Sequence, residues 1–301
     1  MHPVPSSSAY LVHSELAAPP LQLQLGEYFA RPCLSLPAPD SIGLPRYFTN
    51  GWFAGKTIRA ELEEVQRPQY GRRFGKVDRR VLDDPPVVSL RIFDVCNAGT
   101  RMEREQEMND YDDIPLAGLM CMTDLFEVKQ SQPPPPNSSE FSSNSASPYS
   151  VEETFVYPPR SPPSPPPLPR AVLTTVDGYD VMEDSNRTTA LFGSKFAEPH
   201  RVQMPGKIHK QLVFVFSDLA VRLEGTFLLR YRFFDIFSKS GSNGSASSML
   251  AECYGRPFPI YSSKYAPPLL ESTELTKCLA DQGVTVKVRE KARSPRKKNS
   301  P

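Results

Sequence analysis

Several features of secreted and membrane proteins are missing from this sequence of 301 residues. Its five cysteines are odd in number, widely spaced and never in a C-x-x-C pair, so neither a disulfide framework nor a zinc site is indicated. No run approaches the roughly 18 apolar residues of a membrane span, and the N-terminus lacks the pattern of a secretory signal. We therefore expect a soluble, non-secreted protein in a reducing compartment, the cytosol or the nucleus.

Catalytic and phosphate-binding motifs are also lacking. The sequence has no G-x-S-x-G, H-E-x-x-H, G-x-x-x-x-G-K-[ST] or G-x-G-x-x-G pattern. Cys253 and His209 can be imagined as nucleophile and base, but an isolated cysteine among apolar residues is usually a core residue. The acids at 110, 112 and 113 lack the glycine turn and the terminal Glu of a calcium loop. We predict no enzymatic activity, no cofactor and no metal site.

Net charge is almost absent, since 35 Lys and Arg oppose 34 Asp and Glu to give +1 at pH 7. No global field therefore draws the chain to nucleic acid or membranes, and any electrostatic function must be local. Two local clusters stand out, "GRRFGKVDRR" at 71–80, here called the basic loop, and the C-terminal "KVREKARSPRKKNSP" at 287–301.

Proline is abundant, with 33 residues, about twice the usual frequency of roughly 5%. Because proline disrupts helices and sheet interiors, this content favours an all-β domain with long loops. Thirteen prolines lie between 131 and 170, in a composition that buries too little apolar surface to fold. We predict a disordered Pro/Ser-rich insertion at about 131–185 that interrupts a domain at 51–290. Residues 1–50 are expected to be mostly unstructured, and 291–301 to form a basic tail.

Apolar runs predict strands on both sides of the insertion. Residues 85–95 and 118–128 are two such runs, rich in β-branched and other apolar side chains. The strongest signal is 211–237, which predicts a strand, a tight turn at Gly225 and a second strand. The segment 55–68 fits a helix or a strand equally well, and its pattern alone does not decide.

The C-terminal part predicts the one evident helix. "LLESTELTKCLADQG" at 269–283 has a Ser/Thr start, leucines four apart and Gly283 where a helix should stop. "VTVKVRE" at 284–290 then alternates valines with polar and basic residues, which predicts a final strand with one apolar and one basic face. An antiparallel β-sandwich with one short helix accounts for these elements.

The basic loop is the first candidate binding site. Its two glycines make a helix unfavourable, so it is expected to be a flexible connection between sheet-forming segments. A solvated loop and a polyanion-binding surface are both consistent with the charges, although planar guanidinium groups suit phosphates and guanine edges. The candidate DNA-binding residues are Arg72, Arg73, Lys76, Arg79 and Arg80.

The basic tail has three alternative interpretations. Runs of this kind serve as nuclear import signals, as nonspecific polyanion contacts or simply as solubilising tails. The nuclear-import candidates are Lys291, Arg293, Arg296, Lys297 and Lys298.

Three blocks of the sequence resemble the fungal velvet family of regulators. They are "VQRPQYGRRFGKVDRRVLDDPPVVSLRIF" (65–93), "FVFSDLAVRLEGTFLLRYRFFDI" (214–236) and "AECYGRPFPIYSSKYAPPLLESTELTKCLADQGVTVKVR" (251–289), in the family's order. The family's basic motif falls on Lys76, Arg79 and Arg80. This sequence departs from the family by having two prolines in place of three after the motif.

Two further positions follow from the comparison with the velvet pattern. Asp83 and Asp84 precede the proline pair, and we expect them to cancel part of the charge of the basic loop. Arg222 matches a velvet position, but because it lies in a predicted strand close to Glu224, we expect a structural ion pair there in preference to a DNA contact.

The resemblance implies an immunoglobulin-like β-sandwich similar to Rel-homology and p53-like domains, whose loops grip DNA. It implies a transcriptional regulator that binds double-stranded promoter DNA and pairs with itself or with other velvet proteins to control development, sporulation and secondary metabolism. It also implies residence in the nucleus, shuttling with the cytoplasm, and no small-molecule substrate. The alternative is a dimerisation adaptor without strong DNA contact, which the near-zero net charge and the proline-rich insertion favour.

Overall fold

The computed structural model describes residues 42–75, 79–108, 110–130, 171–238 and 249–291. Before residue 131 the strands are β1 (Arg46–Tyr47), β2 (Thr57–Gln66), β3 (Gly71–Arg72), β4 (Val87–Cys96), β5 (Arg104–Glu107), β6 (Leu119–Glu127) and β7 (Lys129–Gln130). After residue 170 they are β8 (Val172–Val176), β9 (Tyr179–Met182), β10 (Leu191–Phe192), β11 (Phe196–Ala197), β12 (Pro199–Val202), β13 (Gln211–Val215), β14 (Ala220–Val221), β15 (Gly225–Asp235), β16 (Met249–Tyr254) and β17 (Phe258–Tyr261). Among the described residues the helical elements are α1 (Glu274–Asp281) and two 3-10 turns, Glu183–Ser185 and Thr188–Ala190. Within these ranges no helix is long and apolar enough to cross a membrane.

Two six-stranded sheets form a β-sandwich, as the sequence predicts. The first sheet has the order β1-β2-β4-β13-β12, with β5 beside β4, and the second has the order β11-β6-β15-β17-β3, with β16 beside β15. Neighbouring strands are antiparallel, apart from the parallel pair β17 and β3. Two small sheets, β10-β14 and β7-β9-β8, flank the sandwich.

Alternate residues of the long strands point into one core between the sheets. In β15 every second side chain from Phe227 to Phe233 is buried there, and in β4 the same holds for the positions from Val88 to Ile92. Phe214 of β13 reaches across to Phe233, with ring centroids 5.9 Å apart. Each such side chain stabilises the fold by about 1.5–3 kcal/mol on burial. The segment 55–68, which the sequence left open between helix and strand, contains strand β2, and alternate residues of β2 enter the core.

Helix α1 covers the outer face of the first sheet. Leu279 of the helix and Val284 after it pack on Val87 and Val213, which point away from the central core. Strand β4 is therefore largely buried on both faces, which explains why the predicted run 85–95 is mostly apolar without strict alternation. The helix begins at its N-cap Thr273, whose hydroxyl accepts from the Thr276 N–H, and the predicted short helix is confirmed.

A β-hairpin covers the outer face of the second sheet. Strands β8 and β9 turn at Asp177 and Gly178, both with positive φ, and Val181 packs on Phe126 and Leu228. The prediction of disorder up to residue 185 is therefore wrong from residue 171 onward, because this hairpin supplies an apolar side chain to the fold. Residues 131–170 lie outside the described residues.

The predicted hairpin around Gly225 is wrong. Strand β14, which precedes the turn, pairs with β10 and not with β15. The physical reason is that β15 has no open edge, since β6 pairs along one side while β16 and β17 occupy the other. Strand β14, which lies between β13 and β15 in the chain, is therefore excluded from the second sheet.

Two further boundaries differ from the sequence prediction. Residues 284–289 join no sheet. At one end the Val284 N–H donates to the Leu279 carbonyl of α1 at 3.0 Å, and at the other the Arg289 carbonyl accepts from Ser272 N at 3.0 Å. At the N-terminal side the domain begins before residue 51, since β1 pairs with β2 and Phe48 is buried in the core.

Candidate nucleic-acid interface

The start of the basic loop is fixed by the second sheet. Strand β3 lies beside β17, and the Arg73 N–H donates to the Tyr261 carbonyl at 2.8 Å. Gly71 permits this close approach, because a Cβ there would lie 2.4 Å from Ile260 Cδ1 and 2.8 Å from a methyl carbon of Leu82. The candidate Lys76 lies outside the described residues, as do residues 77 and 78.

The two arginines at the start of the loop have structural contacts. Arg72 is partly buried and donates from Nη2 to the Pro267 carbonyl at 2.7 Å. Arg73 is exposed and forms an ion pair with Glu224, Nε to Oε1 at 3.1 Å. Arg72 therefore shapes the loop more than it presents charge to solvent.

The two arginines at the end of the loop are exposed. Nη2 of Arg79 donates to the backbone carbonyl of Asp218 and to its Oδ2, the latter at 3.1 Å. Asp218 is itself oriented by the Ser194 N–H, which donates to its Oδ1 at 2.9 Å. A Cβ at Gly193 would lie 2.5 Å from the Asp218 carbonyl oxygen, so glycine is required beside this contact. Asp218, which positions Arg79, is not indicated by the sequence, because no local pattern links residues 139 positions apart.

The segment after α1 completes the site. Arg289 exchanges two bonds with Ser272, its N–H donating to Ser272 Oγ at 3.0 Å, and its Nε donates to the Leu270 carbonyl at 2.9 Å. A cleft of about 600 Å³ lies between this segment and the end of the basic loop. We call it the basic groove, and its lining includes the cationic residues Arg72, Arg79, Arg80, Lys287 and Arg289.

Asp83 and Asp84 do not cancel the loop's charge in the way the sequence suggests. Both are buried, at 7% and 2% exposure. Asp83 forms an ion pair with Arg289, so it neutralises a groove residue and not the loop arginines. Asp84 accepts from Gln69 Nε2 at 3.1 Å and from the Thr273 N–H, and burial raises the pKa of its carboxyl. These acids attach the loop to the helix and to the C-terminal segment.

The expected ion pair between Arg222 and Glu224 is wrong. Glu224 pairs with Arg73, and Arg222 instead stacks on aromatic rings, with its guanidinium carbon 4.3 Å from the Phe192 centroid and 5.2 Å from the Phe74 centroid. Arg222 lies beyond the end of β14 and is exposed, so the rings of β10 and the basic loop are within its reach.

The remaining candidates have structural roles. Cys253 packs against the core, and burial raises the pKa of its thiol, which opposes formation of a nucleophilic thiolate. Asp110 Oδ1 accepts from the Asp112 N–H at 2.8 Å, and Asp112 pairs with Lys210 at 3.0 Å. In the part of the chain that the structure describes, no cluster of His, Cys, Asp and Glu is arranged to hold a metal ion.

One tail candidate, Lys291, is exposed at the end of the described segment. The import candidates that lie outside the described residues are Arg293, Arg296, Lys297 and Lys298.

The fold and the groove together define an all-β sandwich protein whose basic surface is built from one loop and a C-terminal segment. Comparison with known proteins agrees, since the family model described as "Velvet factor" matches residues 60–293. The chain belongs to the velvet family, whose similar named members are described as regulators.

Named relatives support this assignment. The chain is 41% identical over 302 residues to a probable velvet family sexual development regulator of Laccaria bicolor, covering 95% of this chain and 87% of that protein. It is 44% identical over 266 residues to a protein of the same description from Schizophyllum commune, covering 87% and 85%. It is 28% identical over 316 residues to velvet complex subunit 2 of Hypocrea jecorina, covering 78% and 63%.

Proposed function

We propose that this protein is a DNA-binding transcriptional regulator, and that the basic loop and the basic groove contact the phosphates of duplex promoter DNA. The observation that carries the proposal is the convergence of five cationic side chains on one groove from segments about 200 residues apart. The acid among its lining residues, Asp83, is already paired with Arg289. A groove with this excess of positive charge suits a polyanion.

The groove residues divide into those that shape it and those that contact DNA. Arg72 and Arg289 donate to backbone carbonyls and hold the walls of the groove. Arg79, Arg80 and Lys287 are exposed and are the phosphate contacts. The contacts of Arg79 with Asp218 use one nitrogen of its guanidinium, so its other donors are available to a phosphate.

Selection of bound DNA from a random pool tests this function. The full chain would be used alone and mixed with a second velvet protein, because the two together can form one DNA site. Enrichment of a sequence motif whose affinity falls steeply with salt is the expected result. Recovery of no DNA above background from either sample would contradict the proposal.

The relatives' names suggest the biological setting. Proteins similar to this chain are called sexual development regulators and velvet complex subunits. We therefore propose that it acts with other velvet proteins, as a homodimer or heterodimer, to control development, sporulation and secondary metabolism. Residence in the nucleus, with shuttling to the cytoplasm, is part of the same proposal and depends on the basic tail from Lys291 onward. Loss of nuclear fluorescence in a tail-deleted fusion would support that signal, and unchanged localisation would contradict it.

An apolar surface favours a second candidate function, a dimerisation adaptor. Trp52 is 52% exposed and Phe237 is 61% exposed, and both line a cleft of about 320 Å³ together with Ile114 and Pro115. Contiguous exposed apolar side chains of this kind mark protein–protein contact sites. The adaptor function and DNA binding are compatible if the partner shares the DNA site.

Light scattering of mixtures with a second velvet protein distinguishes the adaptor. Trp52→Ala combined with Phe237→Ala should abolish the heterodimer, while Ile208→Ala, which alters a side chain 89% exposed elsewhere, should not. A heterodimer that survives the double substitution would exclude this surface.

A further inference from the structure

A second cleft, which we call the aromatic cleft, lies beside the first half of the basic loop. Its volume is about 910 Å³, within the roughly 300–1,000 Å³ range of ligand sites. It is lined by Arg73, Phe74, Gly75, Arg222, Ser262, Ser263, Lys264 and Tyr265. The aromatic cleft and the basic groove share no lining residue, so they are separate sites that use different residues of one loop.

Two cations of the aromatic cleft are available to a ligand. The Arg222 guanidinium stacks on Phe74 and Phe192, whose rings meet edge to face at 4.9 Å. Its five N–H donors have no hydrogen-bond or ion-pair partner among the described residues, and the same is true of the Lys264 ammonium. Stacking fixes the plane of the guanidinium without using its donors, so it is preorganised for a phosphate.

The cleft also offers a free aromatic face and hydroxyl groups. Tyr265 is 73% exposed, and the Lys264 ammonium lies 5.2 Å from its ring centroid. Ser262 Oγ is buried without a hydrogen-bond partner, and Ser263 Oγ donates to the Arg73 carbonyl at 3.4 Å. Cations beside an exposed aromatic ring are the combination that binds a phosphate and stacks on a base.

We propose that the aromatic cleft binds a single-stranded nucleic-acid segment, with a phosphate on Arg222 and Lys264 and an unpaired base on Tyr265. In a duplex the base faces are covered by their neighbours, so an exposed tyrosine ring gains a partner only from unstacked bases. The aromatic residue that lines the basic groove, Tyr70, is buried and has no exposed face for a base. The basic groove therefore suits the phosphates of a duplex and not an unpaired base. The inference rests on the proposed DNA-binding function and adds that part of the bound nucleic acid is single-stranded.

Fluorescence anisotropy with two DNA probes tests the proposal. The probes are a blunt duplex carrying the motif selected by the protein, and the same duplex with a short oligothymidine extension. The extension should tighten binding, and Tyr265→Ala should remove that gain, a change of about 5- to 150-fold. Tyr265→Phe should keep the gain, because the ring and not the hydroxyl stacks. Tyr47→Ala, at a tyrosine 55% exposed on β1, is the matched control and should keep it as well.

The outcomes separate this inference from the proposed function. Equal affinity for the two probes, or an equal loss on both in Tyr265→Ala, overturns the single-stranded site while leaving duplex binding intact. Failure of both probes to bind overturns the proposed function too. Saturable binding of a phosphotyrosine peptide that requires Arg222, with no gain from the extension, assigns the cleft to phosphorylated proteins and likewise overturns it. Thermal unfolding of each variant checks that the fold is retained, and Lys264→Ala provides a second variant with the same expected loss.

Discussion

The guanidinium of Arg289 forms an ion pair with the carboxylate of Asp83, across 206 positions of sequence. The Asp83 side chain is 9% exposed and the Arg289 side chain 25%, so the pair is largely shielded from solvent. This contact joins the segment after α1 to the end of the basic loop. Asp83 interrupts a run of positive charge in the sequence, but in the structure it forms part of the wall of the basic groove.

Replacing Arg289 with alanine should destabilise the protein. The change leaves the buried Asp83 carboxylate without its cation and removes the bond to the Leu270 carbonyl. We expect a loss of about 2–3 kcal/mol in the free energy of unfolding, measured by urea denaturation.

Lys287→Ala is the matched control for Arg289. Lys287 lines the same groove but is exposed and has no ion-pair partner among the described residues. Its loss should weaken DNA binding while changing stability by less than about 0.5 kcal/mol. Equal stability losses in the two variants would show that the ion pair has no special role.

The hydroxyl of Thr273 should stabilise the junction between α1 and the first sheet. It caps the helix by accepting from the Thr276 N–H at 3.1 Å, and it donates to Gln66 Oε1 at 2.5 Å. Thr273→Ala should cost about 1–2 kcal/mol in thermal or urea unfolding, while Thr273→Ser should cost little because it keeps the hydroxyl. A serine variant as unstable as the alanine variant would contradict this assignment.

Arg72 should behave differently from the DNA contacts. It is partly buried and bonded to the Pro267 carbonyl, so Arg72→Ala should lower the unfolding temperature. It should leave the dependence of DNA affinity on salt nearly unchanged, because the lost contact is internal. A stable variant with a shallower salt dependence would instead make Arg72 a direct phosphate contact.

Asp84 should make stability depend on pH. Burial raises the pKa of its carboxyl above the ordinary 3.8, although the Thr273 N–H and Gln69 act in the opposite direction. The folded state then binds the proton more tightly than the unfolded state, so the stabilising effect of this proton is lost as pH rises through the raised pKa.

Asp84→Asn isolates that contribution. The amide does not titrate, so the stability of the wild type relative to Asp84→Asn should fall as the pH rises from about 3 through the raised pKa of Asp84. Urea denaturation at several pH values measures this difference. A difference that stays constant over the range, or that rises with pH, would contradict the raised pKa.

Local patterns predicted the sandwich and its helix, because an element with one buried face has apolar residues at a regular spacing. The alternation in β15 and the capped start of α1 at Thr273 are visible within a few residues, and both are confirmed. The prediction of a hairpin at Gly225 was wrong because a strand can pair only along an open sheet edge. A local sequence pattern does not show which edges are open. The β8–β9 hairpin was missed because Val181 is the one buried residue of its two strands and because it follows the proline-rich segment.

The candidate site was predicted in part. Charge density alone marked the arginines of the basic loop, but no local pattern indicates that Asp218 positions Arg79 or that Arg222 stacks on Phe192. Each of these contacts joins segments distant in the chain. Their detection requires the fold, because side-chain geometry decides which cations are engaged and which are available.

Salt dependence of duplex binding is the most direct test of the central claim that the basic loop contacts DNA phosphates. The wild type would be compared with the Arg79→Ala, Arg80→Ala double variant, and with the Arg101→Ala, Arg104→Ala double variant, which removes two exposed arginines near β5. If the first pair contacts two phosphates, the slope of log affinity against log salt should become less negative by about 1.8, while the control keeps the wild-type slope. An unchanged slope in the Arg79, Arg80 variant would contradict the account.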